Sequence, residues 1–127
     1  MRYMLLIYTQ EEAVAQMSAA EDARIRAGHG AVMTETSSRG ILGGAEPLMP
    51  TSTATTVRHK DGKLVVTDGP FAETKEQLAG YYILECENLD EAIDWASRIP
   101  TECGGRQGSV EIRPIRLFSP NDGATTG

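Results

Sequence analysis

Cysteine and histidine are both scarce in this chain: of 127 residues, two are cysteine and two are histidine. Cys86 and Cys103 form no C-x-x-C pair. His29 and His59 stand thirty positions apart with no ligand cluster beside either. No bound metal is therefore expected. Glycine-rich phosphate loops, dinucleotide fingerprints and nucleophile elbows are absent, so no cofactor is expected either. No apolar run approaches the ~20 residues that span a bilayer, which argues against a membrane partner. Met1-Arg2-Tyr3 runs straight into a strand-like segment with no small-residue cleavage site, so a signal peptide is not expected. A cytoplasmic location with reduced thiols follows. Cys86 ends an apolar pattern and reads as a small core residue. Cys103 lies in a glycine-rich loop and reads as accessible, with no base beside it.

Positive charge is also short. The net charge is −6, from 18 acids against 12 bases. Residues 1–64 balance seven acids with seven bases, whereas residues 65–127 carry eleven acids and five bases. An acidic surface repels phosphate backbones, so a nucleic-acid partner is not expected. The cluster Glu85, Glu87, Asp90, Glu91 and Asp94 reads as a solvated helix face and strand end.

What is present is an ordinary globular composition, 40% hydrophobic and 24% charged, in a length that suits one domain. The domain is expected over residues 1–118, with a loose polar tail over 119–127. Tyr3 to Tyr8 is a short continuous apolar run, a strand covered on both faces. Ser18-x-x-Glu21 has the form of a capping box and opens a helix. Ile25, His29, Val32 and Met33 share one face of that helix, which stops at Gly40. Ile41 to Gly44 begins a second strand or a bend, limited by Pro47 and Pro50. Ala54–His59 and Lys63–Thr67 read as a hairpin turning at Asp61-Gly62. Gly80 to Cys86 is another apolar strand. Asn88 caps a second helix, with Leu89, Ala92, Ile93, Ala96 and Ile99 as its apolar face, Trp95 at its edge against a subunit or tail contact, and Pro100 as its stop. Val110 to Leu117 is a last strand, interrupted by Pro114, which marks an edge or a bulge.

Two helices can cover only one face of such a sheet, yet two of its strands are apolar on both faces. A second copy packed sheet to sheet supplies the missing cover. The expected fold is therefore α+β: a ferredoxin-like sandwich, an antiparallel sheet with two helices on one face, that forms a dimeric α/β barrel.

The segment Val66-Thr67-Asp68-Gly69-Pro70-Phe71-Ala72-Glu73-Thr74-Lys75-Glu76 is the most specific stretch of the chain. Asp can bond its own backbone, Gly tolerates positive φ, and Pro fixes φ. Phe71 is expected to point inward as an anchor, leaving Asp68 and Lys75 at a rim. Together with Asp90-Glu91-Ala92-Ile93-Asp94-Trp95-Ala96 and Val110-Glu111-Ile112-Arg113-Pro114, the segment resembles the DGPF-domain branch of the YCII-related proteins. That resemblance covers nearly the whole chain and implies the same dimeric barrel. Members are mostly of unknown activity, and some of the wider family have been proposed to be enzymes with a His–Asp pair in a cleft. The histidine of that pair falls on His29. Where its acid belongs this chain has Thr36, Ser37, Ser38 and Arg39, so Asp68 takes the acid's place if the turn folds over the helix.

His29 is the best titratable candidate by its own chemistry, since imidazole titrates near neutrality. Gly28 and Gly30 flank it and mark either ligand approach or tight packing; the plainer role for His29 is a packed histidine bonded to a neighbour. Asp68 is paired with it as a candidate catalytic group, its plainer role being a turn cap. Arg58, Phe71, Lys75 and Arg113 are candidate ligand contacts, the two guanidiniums because they grip carboxylates bidentately. His59 reads as a hairpin surface residue. The expected function is a cytoplasmic homodimer with a ligand cleft and acid–base chemistry on a small organic molecule. The alternative is a non-catalytic metabolite-binding or protein-docking module. The sequence leaves open whether the chain is an enzyme.

Overall fold

The computed structural model describes residues 1–119. The expected tail at 119–127 lies, apart from its first residue, outside the described residues. The elements in chain order are β1 (Arg2–Thr9), α1 (Glu11–Val14), α2 (Ala19–Ser38), β2 (Leu42–Pro47), a 3₁₀ turn (Thr51–Thr53), β3 (Thr55–Lys60), β4 (Lys63–Asp68), β5 (Gln77–Glu85), α3 (Leu89–Ser97) and β6 (Ser109–Pro114). β2, β5, β1 and β6 form a four-stranded antiparallel sheet in that order, and β3 pairs with β4 in a separate ribbon. With the ribbon set aside, this is the strand order of a ferredoxin-like α+β fold.

Alternation along β1 sets the layers. Tyr3, Leu5 and Ile7 are buried and meet Leu84, Tyr82 and Gly80 across the β1–β5 ladder. They form one core with Val32 of α2 and with Ala92, Trp95 and Ile99 at α3, so both long helices lie on that face. Val110 and Ile112 of β6 join it from the edge strand. Met4, Leu6 and Tyr8 point the other way, opposite Ile83, Tyr81 and Leu78. That second face is apolar at its centre and carries neither long helix.

The helix ends follow from their caps. Ser18 Oγ accepts from the Glu21 N–H at 3.1 Å. The return half of the expected capping box is missing, because Glu21 Oε1 instead accepts from the Gly104 N–H at 2.7 Å. α2 ends at Gly40, whose φ of +72° turns the chain, with the Ile41 N–H bonding back to the Thr36 carbonyl at 3.0 Å. Asn88 Oδ1 accepts from the Glu91 N–H, and Glu91 Oε2 accepts from the Glu87 N–H.

Four expectations need correcting. Trp95 is no edge residue: it is 2% exposed and central to the core. The apolar face expected of α3 holds at Ala92, Ala96 and Ile99, which pack in the core with Trp95, but not at Leu89 and Ile93, which are exposed. Cys103 is buried rather than accessible, since the turn that holds it packs onto α1 and α2. A Cβ on Gly104 would fall 2.1 Å from the Ala13 carbonyl oxygen. Phe71 does not point inward as an anchor: it is 74% exposed. Gly69 (φ +101°) swings the chain outward after β4, and the Arg58 guanidinium grips the Phe71 carbonyl at 3.0 Å instead of its ring being buried.

Candidate functional site

His29 lies midway along α2, on the side that meets β5. Its Nδ1 is 2.9 Å from the Tyr82 hydroxyl, and the two rings stack with an interplanar angle of 12°. The same hydroxyl is 3.4 Å from His29's own backbone carbonyl. Tyr82 is 2% exposed, and burial pushes its phenol up to about 12. His29 is half-buried, and that burial pushes its imidazole below the ordinary range. Nothing raises it again: among the described residues no carboxylate bonds its ring.

The flanking glycines differ. A Cβ on Gly28 would press on Pro100 Cγ at 3.0 Å, so this position is small because α2 packs there against the end of α3. A Cβ on Gly30 would meet nothing within 4 Å. One flank of His29 is thus packed and the other is open.

Two grooves run along α2 on either side of His29. One, of about 400 Å³, is lined by Glu21, Arg24, Ile25, Thr101, Glu102 and Gln107 with Pro100. The other, of about 430 Å³, is lined by Met33, Thr34, Ser37, Ser38 and Leu42. They touch α2 one turn before and one turn after His29, and His29 lines neither.

The remaining candidates lie elsewhere in the chain. Asp68 ends β4, opposite Thr55, and is exposed; among the described residues no hydrogen bond joins it to His29. Arg58 and Phe71 are brought together, but through the Phe71 backbone. Lys75 is exposed in the segment before β5. Arg113 is exposed on β6 and alternates with the inward-facing Ile112, which puts it on the sheet face away from α2 and His29.

Tyr82 is the residue that sequence reasoning missed. It sits in the apolar run Gly80–Cys86 and looks like any core aromatic. Only the register, which sets Tyr82 opposite Leu5 on the helix-covered face, shows that its hydroxyl must find a partner on α2.

The Trp95 surroundings form a second polar assembly between the helices. Arg98 and Arg39 lie over the indole with Cζ at 4.5 and 5.4 Å from the ring centroid. Both guanidiniums bond Glu35, at 2.8 and 2.7 Å. This ties α2 to α3.

An uncharacterized protein of Rhizobium meliloti (strain 1021) is 41% identical over 122 residues, covering 96% of this chain and 98% of its own length. The family model of the YCII-related domain matches residues 1–119, the whole of the sheet, both long helices and the His29–Tyr82 pair between them. By that match and that relative, the chain belongs to the YCII-related family.

Proposed function

We propose that this chain is one subunit of a cytoplasmic homodimer that binds a small organic molecule beside His29. The observation that carries the ligand site is the state of the imidazole. It is half-buried and held at Nδ1 by Tyr82, and among the described residues nothing bonds Nε2. A half-buried imidazole with one nitrogen left to solvent is available to a bound group.

The dimer is supported by half-buried apolar surface that neither long helix covers. Met4, Leu6, Tyr8, Leu78, Tyr81 and Ile83 lie together on the sheet face away from the helices. Val57 and Val66 on one face of the β3–β4 ribbon are 57% and 59% exposed, with Leu64 alongside. A two-stranded ribbon is marginal in water alone, and contiguous exposed apolar surface marks an interaction face. Two sheets packed face to face close the dimeric barrel.

Acid–base catalysis would need a carboxylate to orient His29. Tyr82 occupies Nδ1 instead, so binding is favoured over catalysis. Asp68 is the group that would restore the catalytic reading, and Arg58, Phe71, Lys75 and Arg113 are the residues to test for a ligand rim. Native mass spectrometry of gently purified protein tests the proposal. A co-purifying organic molecule is expected on the wild type and lost from His29→Gln. Equal retention by both proteins would move the site away from His29.

A further inference from the structure

Hydrogen-bond geometry at the His29–Tyr82 pair fixes where the imidazole proton sits. The Tyr82 hydroxyl has two acceptors in view. Nδ1 of His29 is at 2.9 Å, and the His29 carbonyl is at 3.4 Å. An O–H···O bond normally spans about 2.5–3.0 Å, so the carbonyl is the poor acceptor. A phenol is also a far better proton donor than a neutral imidazole N–H. The hydroxyl therefore donates to Nδ1. A neutral imidazole that accepts at one nitrogen carries its hydrogen on the other.

Nε2 is the nitrogen left to face outward. Among the described residues it has no protein hydrogen bond, and no buried side-chain nitrogen or oxygen lacks a partner, so Nε2 is not sealed from solvent.

We infer that neutral His29 acts as a hydrogen-bond donor through Nε2–H, locked in that tautomer by Tyr82 as a positioning residue, and that the site takes a ligand bearing an acceptor oxygen, a carboxylate or a carbonyl. The inference rests on the reading of His29 as the ligand-site group and adds the direction of the proton. It also removes His29 as a general base in its neutral form, because the only lone pair of the ring is spent on Tyr82.

Nitrogen-15 NMR at neutral pH tests this in the full chain, with benzoate and benzylamine as probes. The expected result is a single Nε2–H tautomer for His29, a Tyr82 hydroxyl proton correlated to Nδ1, and a shift of the Nε2 resonance on adding benzoate. Tyr82→Phe should lose the hydroxyl correlation and show both tautomers. Because that variant removes a buried hydroxyl and can disturb folding, the wild-type tautomer is the deciding measurement. An Nδ1–H tautomer, or a response to benzylamine instead of benzoate, overturns the inference and leaves the ligand site standing. An Nε2–H tautomer whose resonance answers neither probe overturns the ligand site and the inference together.

Discussion

Burial acts on His29 and Tyr82 in opposite senses, and both shifts reach stability. The imidazole is pushed below its ordinary value, so the folded chain binds fewer protons there than the unfolded chain. Stability then rises with pH across the window between the two values and is lost as pH falls below about 6.5. The phenol is pushed up to about 12 by its burial. Its contribution is full below about pH 10, where the unfolded phenol ionises, and is lost as pH rises from there. Thermal melts from about pH 5 to about pH 8 should show a falling stability on the acid side for the wild type and a shallower fall for His29→Gln. Parallel curves would mean that protonation of His29 is not coupled to folding. Thr36 shows the same principle without charge. It is fully buried, and its hydroxyl donates to the Val32 carbonyl at 2.7 Å, so its polar group is satisfied within its own helix.

At the scale of elements, the turn after α3 is fixed by contact as much as by backbone preference. Gly104 and Gly105 both have positive φ, +59° and +77°. A Cβ on Gly104 would strike the Ala13 carbonyl of α1, whereas one on Gly105 would meet nothing within 4 Å. Gly105→Ala should therefore cost only the backbone term, about 1–2 kcal/mol. Gly104→Ala adds a clash with backbone and should cost several kcal/mol in all, on the order of 3 or more. Equal melting temperatures for the two variants would show that the turn is not seated on α1. Much of the element list was legible in the chain. Asp61-Gly62 marked the hairpin, Ser18 and Asn88 marked both long helices, and Gly40 and Pro100 marked their stops. α1 and the 3₁₀ turn were not legible, because four and three residues are too few for a periodic pattern; they are held by remote bonds such as Thr51 to the Glu11 carboxylate. The inward stripe of α3 was misread because a partly covered Leu and Ile look as apolar as a buried Trp. His29 was legible as a candidate, whereas Tyr82 depended on strand register, which a single sequence does not display.

For the whole molecule, the question is what meets the apolar sheet face. An obligate dimer of this kind would bury more than about 2,000 Å² in total. Light scattering at micromolar concentration should give twice the subunit mass of 13.7 kDa. Leu6→Asp, placed at the centre of that face opposite Tyr81, should shift the population towards monomer or unfolded chain. A wild-type protein that is a stable folded monomer at that concentration would sink the dimer and with it the barrel. The chain also carries its own optical reporter. Trp95 is the one tryptophan of the sequence. It sits under Arg39 and Arg98 at the seam of α2 and α3, in a core cluster that includes no residue of the β3–β4 ribbon. Its emission therefore reports whether the helical layer is closed over the sheet. A change confined to the ribbon, which has no indole of its own, would leave that signal dark.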